Sequence, residues 1–356
     1  MHEDVLKNLG RNVDRRTFLK ACGALGVGAI AGGALQAAHR VVRLGPSKLQ
    51  VERTVLRMGS FVTITAVHES RDLADEAIGR AIEEIDRLAA ILSRHDAATP
   101  LALLNREGCL HDAPDELAEV LRQSLSVHRA TGGAFDITVQ PVLDLFGGPD
   151  SARAVSDEAV RAALARVGAE KVVLDGRSVR FQEEGVRATL DGIAPGFIVD
   201  RASDVLARHG VENHLVNASG DIRVRGRRGN GRPWRIAVQN PGKNGDYPDV
   251  IELAAGAVST SGNYEIYYDR EKIHHHIIDP ATGASPAQAA SVSVIAPTSM
   301  QADALSTAVF VLAPARGLEL IDSTAGTECL VLGRRGESYR SGGWGAFAAG
   351  DGRRAG

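Results

Sequence analysis

His274-His275-His276-Ile277-Ile278-Asp279-Pro280-Ala281-Thr282-Gly283, followed by the valine-rich run Ser291–Ala296 and then Ala302-Asp303-Ala304-Leu305-Ser306-Thr307, is the stretch that decides how this chain is read. The residues around the three histidines predict a strand, Asp279-Pro280 a tight turn, and Ser291–Ala296 a second strand. The helix that follows is expected to carry Asp303 in its first turn and Thr307 in its second. Residues four apart share a helix face. A carboxylate and a hydroxyl stacked there suit a hard, oxygen-seeking cation such as Mg2+; the plain alternative is that Asp303 caps the helix and Thr307 packs. Successive strand residues face opposite sides, so His274, His275 and His276 cannot all bind one metal, and no cysteine or second histidine pair lies nearby to complete a tetrahedral set. His276 is the best catalytic candidate of the three, because the Asp-Pro turn just after it would fix its position.

Outward from that stretch, the bulk composition is globular. The chain has 356 residues, 44% hydrophobic and 24% charged, with a formal net charge of -3. That suits one large domain or two closely joined ones. It gives no basic face for general nucleic-acid binding. Thirty-nine glycines and 4% aromatics fit a mixed protein with many turns. Past residue 40 no apolar run is long enough to span a bilayer.

Residues 1–40 are expected to be an export signal: Asp14-Arg15-Arg16-Thr17-Phe18-Leu19-Lys20 precedes a Gly/Ala-rich apolar run, the twin-arginine pattern. Residues 41–356 are expected to form a single domain, exported to the periplasm or another extracytoplasmic space. Cys109 and Cys329 remain beyond the signal, and their spacing leaves a bridge and two free thiols equally open.

Along the remaining chain the pattern predicts two strands in Val51–Val67 around Met58-Gly59-Ser60, then helices over Arg71–Leu92 and Asp115–Thr131, the second closed by Gly132-Gly133. A helix is expected over Ser156–Val167, a hairpin at Lys171–Leu174 and Ser178–Phe181, and a helix from about Phe197 to His209. Strands follow at His214–Ala218, Ile222–Arg225, Trp234–Gln239, Val250–Leu253, Glu265–Tyr268 and Cys329–Gly333. Helices and strands interleave without a strict βαβ rhythm, so the fold class is α+β. Met58-Gly59-Ser60, Asp191 to Gly196, Ala218 to Asp221 and Thr260-Ser261-Gly262 are Gly-rich turns whose amides could face phosphate; taken singly, each is more often only a turn. Turns, histidine and oxygen pair together suggest phosphate chemistry.

Eight ordered blocks resemble the FAD:protein FMN transferase (ApbE) family, over about Val51 to Gly343. They are Met58-Gly59-Ser60; Leu92-Ser93 with Asn105; Thr131-Gly132-Gly133-Ala134-Phe135-Asp136-Ile137-Thr138; Gly192-Ile193-Ala194 with Gly196-Phe197 and Asp200-Arg201; Gly220-Asp221-Ile222; Thr260-Ser261-Gly262 with Tyr264; His276 through Gly283; and Ala302-Asp303-Ala304 with Thr307. The segment Thr189 to Ala194 is similar to the NosX-like branch of that family. The resemblance implies a mixed α/β architecture with central antiparallel or mixed sheets flanked by helices. It also implies a Mg2+-dependent enzyme that splits FAD, passes FMN to a threonine hydroxyl of a partner protein as a phosphoester, and releases AMP. The implied acceptor is a membrane-linked electron-transfer subunit bearing an Asp-Gly-x-Ser/Thr-x-Ala-Thr type motif. By position, Met58, His95, Ala134, Phe135, Asp136, Thr189, Pro195 and Ile277 would line the FAD site. The Gly192 carbonyl, Asp303 and Thr307 would hold Mg2+, and His276 would be the base. The chain departs from the common family pattern at His95 (usually tyrosine), Thr189 (usually acidic) and Pro195 (usually a long polar residue), which implies a changed grip on FAD and leaves the metal pair intact.

Overall fold

A computed structural model describes residues 36–147, 155–242, 245–264, 267–268 and 274–349. The twin-arginine segment lies outside the described residues, as do Glu265 and Ile266 of one expected strand.

The first described strand, β1 (Gln36–Arg43), pairs with β2 (Leu49–Arg57) and overlaps the last residues expected to belong to the export signal. β2 and β3 (Ser60–His68) form a hairpin whose two turn residues, Met58 and Gly59, both have positive φ, 51° and 70°. That is the backbone a two-residue hairpin requires to match the strand twist. Helix α1 (Arg71–Leu92) starts where the Ser70 side chain accepts from Leu73 N–H and buries Ala74, Ile78, Ile85 and Leu88 at helical spacing. Next come α2 (Pro100–Glu107), the short β4 (Cys109–Leu110) and α3 (Asp115–Ala130). α3 ends at Gly132 (φ 61°) and Gly133 (φ 88°), where a side chain would be strained. A 3-10 turn at Ile137–Val139 leads into α4 (Gln140–Gly147), and α5 (Asp157–Leu164) precedes the hairpin β5 (Val172–Asp175) and β6 (Ser178–Phe181), which pairs with β4.

The second half holds α6 (Ala194–Arg208), β7 (Asn213–Ala218), β8 (Asp221–Arg225), β9 (Trp234–Val238), β10 (Asp249–Leu253), β11 (Ala255–Gly262) and β12 (Ala289–Ala296). Helices α7 (Ser299–Val311) and α8 (Pro314–Asp322) and strands β13 (Glu328–Gly333) and β14 (Ser338–Arg340) finish it. Nine strands make one sheet in the order β1-β2-β3-β7-β8-β11-β12-β13-β14, every pairing antiparallel. The expected α+β class is what the chain adopts.

Helices α1, α3 and α6 cover one face of β2, β3 and β7, with Val62, Ile64 and Val216 pointing into that core. α7 and α8 cover the same face over β12 and β13. The β9–β10 hairpin covers the other face through Trp234, Ile236 and Ile251, which pack on Ile222, Val258 and Ile295. β12 is buried at all eight positions because both its faces are covered.

Three expectations need correction. His274–His276 is not a strand: only an isolated bridge, Tyr267 to His275, ties it to another segment. The helix expected from Phe197 starts at Ala194, with Pro195 in its first turn, where a missing N–H costs nothing. α7 starts at Ser299, behind the Thr298 cap, so Asp303 and Thr307 lie in its second and third turns rather than its first and second. Cys109 and Cys329 are free thiols on separate sheets.

α6 and α7 cross at Gly196. A Cβ there would stand 2.4 Å from the Ser299 carbonyl oxygen, against backbone that cannot rotate away. Gly196→Ala is expected to cost about 2–3 kcal/mol, seen as a lower urea midpoint; an unchanged midpoint would contradict the crossing.

His214 is fully buried between α6 and β7. Its Nδ1–H donates to Val211 O at 2.7 Å, leaving Nε2 to accept from Ser203 Oγ–H at 2.7 Å. Burial pushes its pKa down to about 4. A neutral histidine that would take a proton near pH 6.5 when unfolded stabilises the fold fully above that pH, and this contribution is lost as pH falls toward 4. The stability difference between the native chain and His214→Asn should therefore shrink by about 2 kcal/mol between pH 7 and 4.5. A difference independent of pH would show the histidine to be solvated.

Candidate functional site

The strand register gathers the Gly-rich turns at one end of the large sheet. Val62 pairs with Ala218, which sets the Met58-Gly59 turn beside the Ser219-Gly220 turn between β7 and β8. Ser219 (φ 54°) and Gly220 (φ 114°) make a second tight turn, and the Gly220 amide is held by Asn217 Oδ1 at 3.1 Å. β11 runs past Asp221 to Ser261 and Gly262 at the same end. α7 starts at the opposite end, where the Asp200 carboxylate accepts from Ser299 and Met300 N–H at 2.9 Å each, and runs back toward it. A carboxylate at a helix N-terminus is held by two otherwise unpaired donors and by the helix dipole. Asp200 was quoted in the motif without a role; its work is to aim α7.

That aim brings Thr307 and Asp303 against the turn that precedes α6. Ser261 Oγ lies 2.8 Å from Ser306 Oγ and 3.4 Å from Thr307 Oγ1. Gly192 abuts Thr307 so closely that a Cβ on it would stand 2.9 Å from Thr307 Oγ1 and 3.5 Å from the Phe135 ring. Asp303 Oδ2 accepts from Gly196 N–H at 3.0 Å. Gly192, Asp303, Thr307 and Phe135, separate in sequence, thus share one place.

The electrostatics there are unbalanced. Burial first, then Asp221, Asp191 and Asp200, hold the Asp303 carboxyl well above the ordinary carboxylate range, while the Gly196 amide opposes the shift. Asp221 is raised to about 6 by burial, against the Ser259 hydroxyl that donates to it. Among the described residues no lysine or arginine reaches Asp303 or Asp221; Arg223 pairs with Asp200 at 3.6 Å. Among those residues no three His, Cys, Asp or Glu side chains converge on a common point either. The set is instead one buried carboxylate, one hydroxyl and a glycine backbone packed against that hydroxyl. Those are oxygen donors, too few for a closed cage and suited to Mg2+, which keeps waters and substrate phosphates as its other ligands. The residues fit that ion.

The loop after α3 supplies the next wall. Thr131 Oγ1 accepts from Phe135 N–H at 3.2 Å, and His128 Nδ1–H donates to Phe135 O at 3.0 Å. The Asp136 carboxylate is buried and turned inward: it accepts from Thr138 N–H at 2.7 Å and Ala169 N–H at 3.0 Å and pairs with His128 at 3.3 Å, which raises the His128 pKa. It shapes the loop from within. Thr189 N–H donates to Ile137 O at 2.7 Å, and the Thr189 hydroxyl accepts from Asp191 N–H at 3.2 Å, so this side chain builds the Asp191-Gly192 turn. Asn105 clamps the strand-like approach to that turn, donating to Ala188 O at 2.8 Å and accepting from Ala188 N–H at 2.7 Å.

His275, not its neighbours, is the structural histidine of the triplet. It is fully buried: Nε2–H donates to Pro286 O at 3.0 Å, Nδ1 accepts from Ile277 N–H at 3.3 Å, and burial pushes its pKa down to about 4. Its ring stands edge-on to Phe310 at 5.6 Å, and Ile277 packs with Leu305, Val309 and Phe310. The triplet is thereby pinned against α7. Asp279 fixes the following turn through Ala281 N–H and the Thr282 hydroxyl, both at 2.9 Å. His276 is left half-buried between these two anchors.

His95 is exposed in the wall of a separate cavity of about 430 Å3, lined also by Arg94, Arg106, Gln140, Asp144 and Arg187. Arg94 joins this cavity to the Gly192 turn by donating to Asp191 Oδ2 at 2.8 Å. Sequence reading passed over Arg94, Gln140, Asp144 and Arg187, since none sits in a recognisable motif.

Comparison with known proteins finds relatives in both sequence and fold. The family model described as the ApbE family matches residues 58–331. A FAD:protein FMN transferase from Vibrio cholerae is 30% identical over 278 residues, covering 74% of this chain and 80% of that protein. One from Haemophilus influenzae is 36% identical over 219 residues, covering 58% of this chain and 63% of that protein, just under two thirds of its length. The crystal structure of the ApbE protein from Thermotoga maritima superposes with a TM-score of 0.78 at 30% identity, covering 84% of this chain and 99% of that one. A match of this extent in sequence, together with the shared fold, places the chain in the ApbE family.

Proposed function

We propose that this chain is a Mg2+-dependent FAD:protein FMN transferase. The observation that carries the reading is the meeting of Gly192, Asp303 and Thr307 at the sheet end, with a buried carboxylate that has no cationic partner among the described residues. Family membership supplies the substrate. In the reaction, a threonine oxygen of the acceptor forms a bond to the FMN-side phosphorus of FAD, the phosphorus–oxygen bond to the AMP half breaks, and AMP leaves with that electron pair. His276 takes the hydroxyl proton. Phosphoryl transfer depends mostly on positioning and on neutralising oxygen charge. The Gly192 carbonyl, Asp303 and Thr307 would hold Mg2+, which would supply that neutralisation.

The protein's own residues do the rest. Asp200 and Gly196 fix α7 against α6, so Asp303 and Thr307 are aimed before substrate arrives. The Met58-Gly59 and Ser219-Gly220 turns lie at the same sheet end and present backbone to phosphate. In this reading Met58, Ala134, Phe135, Ile277 and Pro195, in the first turn of α6, would form the wall around FAD, with His95 beyond the Asp191 turn. Arg15-Arg16 and the apolar run behind them support export, which would bring the enzyme to a membrane-linked acceptor carrying the threonine motif. Among the described residues no helix is long and apolar enough to cross a membrane.

The test is AMP release from FAD, with and without an acceptor fragment, with and without Mg2+. AMP that depends on both acceptor and Mg2+ is the expected result. AMP without an acceptor would make the protein a FAD pyrophosphatase, and FAD binding with no AMP would make it a carrier.

A further inference from the structure

The end of the large sheet opposite the Gly192 turn carries cations that the chemistry above does not use. The turn 43–48 joins β1 to β2, and the loop 227–232 follows β8. Strand register puts both at that end: Arg43 pairs with Leu49, Leu49 with His68, and Val67 with Asn213. The two segments touch there. A Cβ on Gly229 would run into the Leu44 side chain, and Asn213 Oδ1 accepts from Arg227 N–H at 2.8 Å. Arg43, Lys48, Arg227, Arg228 and Arg232 therefore share one corner of the surface.

Among the described residues none of these five makes an ion pair, whereas Arg223 and Arg235 nearby pair with Asp200 and Glu252. Carbonyls hold two of the guanidinium groups instead: Arg227 Nη1 donates to Gly231 O at 3.3 Å and Arg228 Nε to Pro233 O at 3.0 Å. Both segments are closed by their own backbone, through Gly231 N–H to Arg228 O at 2.8 Å and Leu44 N–H to Lys48 O at 2.9 Å. Two carboxylates stand at the rim: Glu69 shares a small cavity with Arg43 and Lys48, and the Glu212 backbone abuts Gly226. Five cations against two carboxylates leave the corner positive on a chain whose net charge is -3.

Apolar groups stand among the cations. Leu44, in the turn itself, is 37% exposed and Val41 38%. A cationic corner with a bare leucine matches the layers of a bilayer surface, where phosphates take the charged heads and the acyl boundary takes the apolar side chain. A nucleic acid would leave that leucine in water. Clusters of about four to eight basic side chains are the size that anionic lipids hold.

We propose that this corner docks the protein on an anionic lipid surface, with Leu44 at the acyl boundary and Arg43, Lys48, Arg227, Arg228 and Arg232 on the headgroup phosphates. β2 runs nine residues between the two ends of the sheet, so docking here holds the Gly192 end about 30 Å from the bilayer. The candidate active site then faces an acceptor domain that stands off the membrane.

Cosedimentation with vesicles tests this, using the mature protein so that the apolar run of the export signal cannot itself bind lipid. The native protein should bind a roughly two-to-one mixture of phosphatidylcholine and phosphatidylglycerol at least about tenfold more tightly than phosphatidylcholine alone, and should be released as salt rises. Each basic side chain near an anionic surface contributes about fivefold, so Arg227→Gln, Arg228→Gln and Arg232→Gln together should weaken binding by about a hundredfold. Leu44→Ser, which leaves every charge in place, should weaken it by about threefold or more. Arg122, Arg161 and Arg316 are exposed elsewhere, and replacing these three by glutamine should change nothing. Equal binding to both vesicles overturns the proposal, as does an equal loss from either set of arginines. Retention on polyglutamate without vesicle binding overturns it in favour of an acidic partner protein. FMN transfer to a soluble acceptor fragment should be the same for the native protein and the 227/228/232 variant, so the docking can fail while the transferase reading stands.

Discussion

Asp303→Asn lowers FMN transfer by about a thousandfold or more while leaving the fold intact. The substitution keeps the size of the side chain and removes the buried carboxylate one helical turn before Thr307. It also removes a charge that the fold pushes against: burial and three other aspartates all raise its pKa, and no cation among the described residues offsets them. Replacing such a group by a neutral isostere is neutral or stabilising in the metal-free protein, so the urea midpoint should hold or rise as activity vanishes. Cation binding must also displace a proton from a carboxyl whose pKa is raised. The Mg2+ concentration for half-maximal activity should therefore fall as pH rises in the native protein. Full activity of Asp303→Asn at saturating Mg2+ would remove the metal assignment, and a large fall in its urea midpoint would show Asp303 to be structural.

His276→Ala slows transfer by a factor of about 10² to 10⁴, the usual contribution of a positioned general base, with FAD affinity changed by less than about threefold. The neighbouring positions make this a sharp comparison. His275→Ala removes both ring contacts, to Pro286 O and Ile277 N–H, and a buried ring against Phe310, so its effect falls on stability. Adjacent histidines should thus separate cleanly, one losing rate and the other fold. Unaltered transfer by His276→Ala would take the proton-acceptor role away from it.

Local pattern read the strands and helices well wherever periodicity was long. α1 was legible to the residue, because its buried positions recur at helical spacing over twenty-two residues. The triplet at His274–His276 misled because a run before a turn with one buried histidine between two half-buried ones suits a strand and a bridge-and-turn segment equally. The start of α6 was missed by three residues, since Pro195 reads as a breaker until it falls in the first turn. Motif order brought Gly192, Asp303 and Thr307 to notice, but their contact depends on Asp200 capping α7 and on Gly196 permitting the helix crossing, both long-range facts. The family resemblance puts Asp136 on the FAD wall, and its carboxylate faces inward to Thr138, Ala169 and His128.

The most direct test of the whole account is the intact mass of an acceptor fragment bearing the threonine motif, after incubation with the mature protein, FAD and Mg2+. The account predicts an FMN-sized increase on the threonine, absent when Mg2+ is omitted or Asp303 is replaced. An acceptor of unchanged mass, under conditions where a transferase from the same family modifies it, would contradict the account.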